Sequence, residues 1–216
     1  MGVDNLYSGT EEGICWQGSS PEPETVFVVR PPLLPPNAIP IFDDEQHVII
    51  GFRQGSGGVY RIYDLYGNLV GMDEVGLETP LFDPIDLILI VYGLVEAFGK
   101  SGIQLARSLT VAGMRGSVTA IGRTTLVALR AALRQLLLGE LKFTAKTAIR
   151  MMEAGRHVPI QILRLAIKFG TRIPDPQGAI GAFEYSIPMF RNNIQYTLKI
   201  VLREADNTIL HFHYFR

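Results

Sequence analysis

From position 182 to Arg216 the chain alternates between apolar and polar positions. AFEYSIPM (182–189), QYTLKIVLRE (195–204) and TILHFHYF (208–215) are rich in β-formers, and FRNNI and ADN between them are turn-forming. The pattern predicts three strands in an antiparallel meander. Upstream, TAKTAIRMMEAG predicts a short helix, capped by Thr144 or Thr147 and stopped at Gly155. RHVPIQILRLAIKFG predicts the next, with Pro159 at the first helical position, Val158 at the cap and His157 just outside it. Ile162, Leu165, Ala166 and Phe169 share one side of that helix, Arg164 and Lys168 point elsewhere, and Gly170 ends it. TRIPDPQGAIG (171–181) reads as a loop. Two helices followed by an antiparallel sheet make an α+β domain over 143–216.

The front of the chain reads differently. QGSSPEPETVFVVRPPLLPPNAIP (17–40) is dense in proline and predicts an extended strap, with VFVV as a short edge strand. HVIIGF (47–52), GVYRIYDL (58–65) and NLVGMDE (68–74) predict a β-meander with turns at QGSGG and YGN. From Asp83 apolar residues take over. DPIDLILIVYGLVEAFGKSG (83–102) and SVTAIGRTTLVALRAALRQLLLGEL (117–141) predict an apolar helical hairpin. The first is uncharged only from Leu87 to Val95, short of the ~20 residues that span a bilayer. Arg123, Arg130 and Arg134 form a basic stripe on the second. Two readings stand for 84–139: a hairpin packed on its neighbours, or a segment making transient membrane contact. The expected divisions are 1–82, an acidic proline-rich segment with a meander; 83–142, an apolar and basic linker or membrane-penetrating region; and 143–216.

The 216 residues carry a net charge of −1, but the charge is segregated. Residues 1–98 sum to −12, 99–142 to +6 and 143–216 to +5. A basic back half can approach a phosphate-rich ligand, and an acidic front can cover it. The single cysteine, Cys15, excludes an intrachain disulfide and a cysteine-rich zinc site. MGVDNLYSGTEEG has neither the positive start nor the apolar stretch of a cleavable leader. Walker, Rossmann and nucleophile-elbow motifs are absent from the sequence.

Strict alternation sorts the last two strands by face. Tyr196, Leu198, Ile200 and Leu202 lie opposite Thr197, Lys199, Val201 and Arg203; Leu210, Phe212 and Tyr214 lie opposite Ile209, His211, His213 and Phe215. One apolar face must bury against the helix at 159–169. The remaining, open face then gathers Lys199, Arg203, His211 and His213. A His-x-His pair can bind zinc with a carboxylate such as Glu184 or Glu204, but neighbouring cations repel a metal, and no metal or other cofactor is expected. The pair can also be two ordinary strand histidines. A third reading is RNA cleavage without metal: imidazoles titrate near neutrality and suit both proton transfers, while Lys and Arg stabilise charge growing on the phosphorane. His157, beside Arg156 at a helix start, can join as a base or simply cap the helix.

The stretch RMMEAGRHVPIQILRLAIKFGTRIPDPQGAIGAFEYSIP, with YTLKIVLREADNTILHFHY, resembles C-terminal toxin domains of bacterial polymorphic and contact-dependent systems. It is similar in layout to the barnase–EndoU–colicin–RelE ribonuclease superfamily. YRIYDLYGNLV resembles one copy of the YD repeat of Rhs-type proteins. The toxin resemblance implies a metal-independent endoribonuclease, acting on tRNA or other RNA in the cytoplasm of a rival cell. It also implies delivery by a secretion system or larger effector scaffold, and a cognate immunity protein. The candidate catalytic residues are His211, Lys199, His157 and Arg203, supported by Arg156, Arg172, Asp175, Tyr185, His213 and Tyr214. Three other readings stand beside it: an ADP-ribosyltransferase using Glu184, a membrane-active toxin, and a non-catalytic interaction module.

Overall fold

The computed structural model describes residues 7–43, 45–56, 59–74 and 121–216. In chain order these form β1 (Ile14–Cys15), β2 (Phe27–Val28), β3 (Ile39–Asp43), β4 (Val48–Ser56), β5 (Val59–Tyr63), β6 (Leu69–Glu74), α1 (Arg123–Leu137), β7 (Lys142–Phe143), α2 (Ala145–Met152), α3 (Ile160–Phe169), β8 (Thr171–Pro174), β9 (Ala182–Arg191), β10 (Ile194–Arg203) and β11 (Thr208–Phe215). The class is α+β. The helix expected over 83–102, and with it the hairpin, lies outside the described residues.

The chain divides into two compact units, Met1–Arg30 with Gln135–Arg216, and Pro31–Arg134. The expected divisions at 82 and 142 follow the changes of character along the chain, whereas residues 1–30 group with the C-terminal region.

The first unit is built on a seven-stranded sheet in the order β1-β7-β11-β10-β9-β2, with β8 also paired to β9. The expected meander β9–β10–β11 is its centre. Asn192 and Asn193, at φ 48° and 64°, make the β9–β10 turn, and Asn207, at φ 53°, lies in the β10–β11 turn. Asparagine tolerates this left-handed region better than most residues. All pairings are antiparallel except β11 with β7, which is parallel. VFVV supplies β2 at the edge, as expected. The expected loop at 171–181 instead begins as β8, because Thr171–Pro174 finds the free edge of β9.

Helix α2 is capped as predicted: the Thr144 hydroxyl accepts from Thr147 N at 3.3 Å, and Thr147 Oγ1 donates to Ile209 O at 3.1 Å. The cap thus fastens the helix to β11 as well as satisfying its first turn. Helix α3 starts one residue later than the sequence suggests, with Pro159 as its N-cap, and ends at Gly170. It packs on β9 and β10, while α2 packs on β7 and β11. Ile162, Leu163, Leu165 and Ala166 are buried together with Leu198, Ile200, Leu202, Ile187 and Phe212. Burying each such side chain contributes about 1.5–3 kcal/mol before entropy is counted.

The second unit is a four-stranded antiparallel meander, β3-β4-β5-β6. Its first strand, IPIFD, comes from the end of the proline-rich strap. Asp64 organises the β5–β6 turn by accepting from Tyr66 N at 2.8 Å and Asn68 N at 2.9 Å. Leu129 of α1 lies against Gly51, where an added Cβ would come within 2.7 Å of the leucine and 2.4 Å of Tyr63 O. Arg130 donates to both oxygens of buried Asp43, at 2.7 and 3.0 Å, and pairs with Glu45 at 2.9 Å. The middle of the expected basic stripe is therefore an internal ion pair. Among the described residues, no helix is long and apolar enough to cross a membrane.

Candidate functional site

The site lies on the face of the sheet away from α3. Register places His211 and Glu184 on either side of Val201, and His213 and Ser186 on either side of Lys199. Side chains directly paired across strands share a face. Lys199 Nζ donates to Glu184 Oε1 at 2.8 Å, His211 Nε2 lies 3.1 Å from His213 Nδ1, and Arg150 Nη1 lies 3.0 Å from His211 Nδ1. Two imidazoles, an ammonium, a guanidinium and a carboxylate thus converge from α2, β9, β10 and β11.

A bulge in β11 alters the expected face. The register shifts between Val201 and Leu202, leaving Leu210 without a cross-strand partner. Ile209 pairs with Leu202 and is buried with it, while Leu210 joins Val201 and Ala182. Ile209 and Leu210 have exchanged the sides that strict alternation assigned them. An extra residue does this because it resets the two-residue period on one strand only.

The face is also less open than the sequence predicts. His211 is only 6% exposed. Tyr7 lies over it, with ring centroids 6.0 Å apart and planes 22° from parallel, and the Tyr7 hydroxyl donates to Asp175. Tyr7, with Ala179, packs on the cluster of Ala182, Val201 and Leu210. Burial, the bond to Asp175 and nearby Glu184 all push the Tyr7 phenol up. His213 is half-buried and stacks on Phe215 at 5.5 Å.

The imidazoles are neutral at pH 7 for physical reasons. Burial, then the positive charge of Arg150, lowers His211 to about 4. Burial, then Lys199, lowers His213. Both effects disfavour adding a proton.

Several sequence candidates belong elsewhere. Arg203 is not a free cation on the face. It donates to Asp206 at 2.9 and 2.7 Å, to Gly9 O at 2.5 Å and to Glu11 O at 2.9 Å, so it clamps the turn and the N-terminal strap. His157 is 4% exposed, its Nδ1 is 2.9 Å from Met151 O, and its ring meets Phe27 edge-on at 6.4 Å. It is a buried packing residue at the approach to α3, and burial lowers its pKa. Arg156 is exposed and paired with Glu153 at 3.3 Å. Arg172 holds Glu204 through two bonds of 2.7 and 3.0 Å, and Tyr185 donates to the same carboxylate. Tyr185 and Tyr214 pair with Ile200 and Leu198, on the opposite side of the sheet from His211. The Tyr214 hydroxyl donates to Gly155 O and accepts from Arg191 at 2.6 Å. Asp175 is engaged by Tyr7 and by Ala179 N at 2.9 Å.

Of the sequence candidates, then, His211, His213 and Lys199 come together, with Asp175 reached through Tyr7. The reading of strand faces missed Arg150 and Tyr7, and considered Glu184 only as a zinc ligand or a transferase carboxylate. Glu184 was within reach of it, since alternation along AFEYSIPM places Glu184 with Ser186, and those residues pair with Val201 and Lys199. Nothing local marks Arg150 or Tyr7, which arrive from 61 and 204 residues away in sequence.

The chain matches no family model, no curated protein and no solved structure.

Proposed function

We propose that the protein is a metal-independent endoribonuclease of the delivered-toxin type, acting at the face formed by His211, His213, Lys199 and Glu184. The reading rests above all on two neutral imidazoles in mutual contact at 3.1 Å beside an ammonium–carboxylate pair. RNA cleavage by transesterification needs what this set offers. The 2′-oxygen gives up its proton and bonds to phosphorus; the bond from phosphorus to the 5′-oxygen breaks, and that oxygen takes a proton. A cation and N–H donors stabilise the charge that develops on the phosphorane oxygens. The 2′-hydroxyl makes RNA, rather than DNA, the substrate. The layout of helices followed by a meander supports the toxin-like reading, and with it tRNA as one target, a cognate immunity protein, delivery by a secretion system or larger effector scaffold, and action in a rival cell's cytoplasm.

The test is incubation of the purified chain with total RNA in EDTA, beside Lys199→Ala and His213→Ala. The expected result is cleavage by the parent, leaving 2′,3′-cyclic phosphate ends, and loss of about 100-fold or more in each variant. RNA left intact by the parent, or cut equally by all three, would overturn the proposal.

A further inference from the structure

Register sorts the face that carries His213 into rows that cross the strands. Thr171 pairs with Ser186, Ser186 with Lys199 and Lys199 with His213. Directly paired side chains share a face, so two hydroxyls, an ammonium and an imidazole line up across β8, β9, β10 and β11. On one flank of this row lie Glu184, Val201 and His211, all buried. Tyr7 lies on His211 there, and Arg203 holds the strap behind Tyr7 through Gly9 O and Glu11 O. On the other flank lie Pro188, Thr197 and Phe215. Pro188 is exposed and Phe215 is 44% exposed. Exposure of one phenyl ring means little by itself. This ring, however, stacks on His213, with centroids 5.5 Å apart and planes 21° from parallel.

We propose that Phe215 is a stacking platform for a nucleobase next to the scissile phosphate, and that the row from His213 to Thr171 carries the backbone of a single RNA strand across the sheet. The inference rests on the ribonuclease reading. With the phosphate against Lys199 and His213, the base of a flanking nucleotide has to reach only the next row along β11, about 7 Å away, where Phe215 stands. In the other direction Ser186 and Thr171 offer hydroxyls, which can meet phosphate oxygens or 2′-hydroxyls. Adjacent strands lie ~4.8 Å apart, so the row is roughly 14 Å long, enough for a stretch of backbone rather than a lone phosphate. The strand enters from the Phe215 flank, because Tyr7 covers the other.

Charge and stacking act together here. None of the side chains in the two open rows is acidic, and Lys199 is cationic, so this part of the face suits a polyanion. Every base has a π-face, so stacking on Phe215 positions a nucleotide without choosing its sequence. A base can lie on Phe215 only when it has left its neighbours, which single-stranded loops allow and a duplex resists. The substrate is therefore unpaired RNA, and a folded RNA is cut in its loops. Phe215 binds substrate and moves no proton, so its loss belongs in KM rather than kcat.

The test uses the full chain and a fluorescein-labelled thymidine oligodeoxynucleotide, which lacks the 2′-hydroxyl and cannot be cut by this route. Fluorescence anisotropy is compared for the parent, Phe215→Ala, Phe215→Trp and Ser186→Ala, beside steady-state cleavage of a stem-loop RNA. Phe215→Ala should weaken binding about 5- to 100-fold and raise KM in proportion, with kcat within about threefold. Phe215→Trp keeps a stacking face and should bind at least as tightly as the parent. Ser186→Ala should weaken binding about two- to tenfold. Cuts should fall in the loop of the RNA. Equal oligonucleotide affinity in the parent and a folded Phe215→Ala protein would overturn the inference and leave the ribonuclease reading standing if RNA is still cut. A binding loss that Trp does not restore, or cuts confined to the stem, would overturn it too. Binding that depends on Phe215, in a parent that leaves RNA intact, would instead sink the ribonuclease reading while the stacking site stands.

Discussion

Glu184 sits one strand away from Val201 on the face that His211 shares, bonded to Lys199 at 2.8 Å and largely buried. In the proposed reaction a carboxylate is a second candidate, beside an imidazole, to take the 2′-hydroxyl proton. Glu184 is placed for it, while Asp175 is occupied by Tyr7 and Ala179. In the proposed reaction, Lys199, bonded to this carboxylate, would add a cation next to the phosphate. Glu184→Gln keeps the size and the hydrogen bond but cannot take a proton. It should lower cleavage by about 10²–10⁴-fold. A Glu184→Gln protein that cuts RNA as well as the parent would remove Glu184 from the reaction. Glu204, the other carboxylate near the sheet, is held well below its ordinary pKa by Arg172 and Tyr185 and has no such freedom.

At the scale of elements, the N-terminal strap is the unexpected component. Tyr7 lies on His211, Arg203 grips Gly9 O and Glu11 O, and β1 adds to β7. Gly9 adopts φ 82°, and a Cβ there would come within 2.8 Å of Ala179 Cβ, so the strap passes close against the 175–181 loop. The acidic front of the chain was expected to cover the basic face, which deletion of 1–98 would test. That deletion would also strip β1 and β2 from the sheet. Substitution is the cleaner test. If the tyrosine ring limits access, Tyr7→Ala should raise RNA cleavage on the order of tenfold, as the competent fraction of molecules grows. Unchanged or reduced cleavage, with the fold intact by circular dichroism, would make Tyr7 part of the framework that holds His211.

For the molecule as a whole, the buried histidines couple folding to pH. An unfolded imidazole titrates near 6.5, whereas folded His211 resists protonation until about 4. Between these values the unfolded state binds more protons, so stability is full above pH 6.5 and declines as pH falls toward 4. His211 alone can account for a loss on the order of 2–3 kcal/mol across that window. Burial of His157 and His213 works in the same direction. Asp206 and Glu204, lowered by Arg203 and Arg172, contribute stability that is lost only at more acidic pH. Thermal unfolding followed from pH 7.5 to 4.5 should show a falling midpoint that begins near 6.5. A midpoint constant over that range would mean that these imidazoles are not buried and neutral in the folded chain.

The central strands, two of the helices and the Thr144 cap were legible in the residues alone. Their signals are local: a period of two or 3.6, a hydroxyl at a helix start, asparagines at tight turns. Lys199, His211 and His213 followed from the same alternation. What the sequence could not decide was which face is covered, and by what. Strands of two residues such as β1 and β7 have no period to read and exist because a partner edge is present. A bulge moved Ile209 and Leu210 without any local mark. Arg203 and His157 looked like free functional groups because the carbonyls and carboxylates that engage them come from distant parts of the chain or from buried backbone. The contact of Arg150, His211 and His213 likewise joins three side chains that meet only in the folded structure. The sequence determines which residues can alternate, cap and turn. The tertiary structure determines which of their polar groups remain unspent, because long-range partners, and not spacing, satisfy the rest.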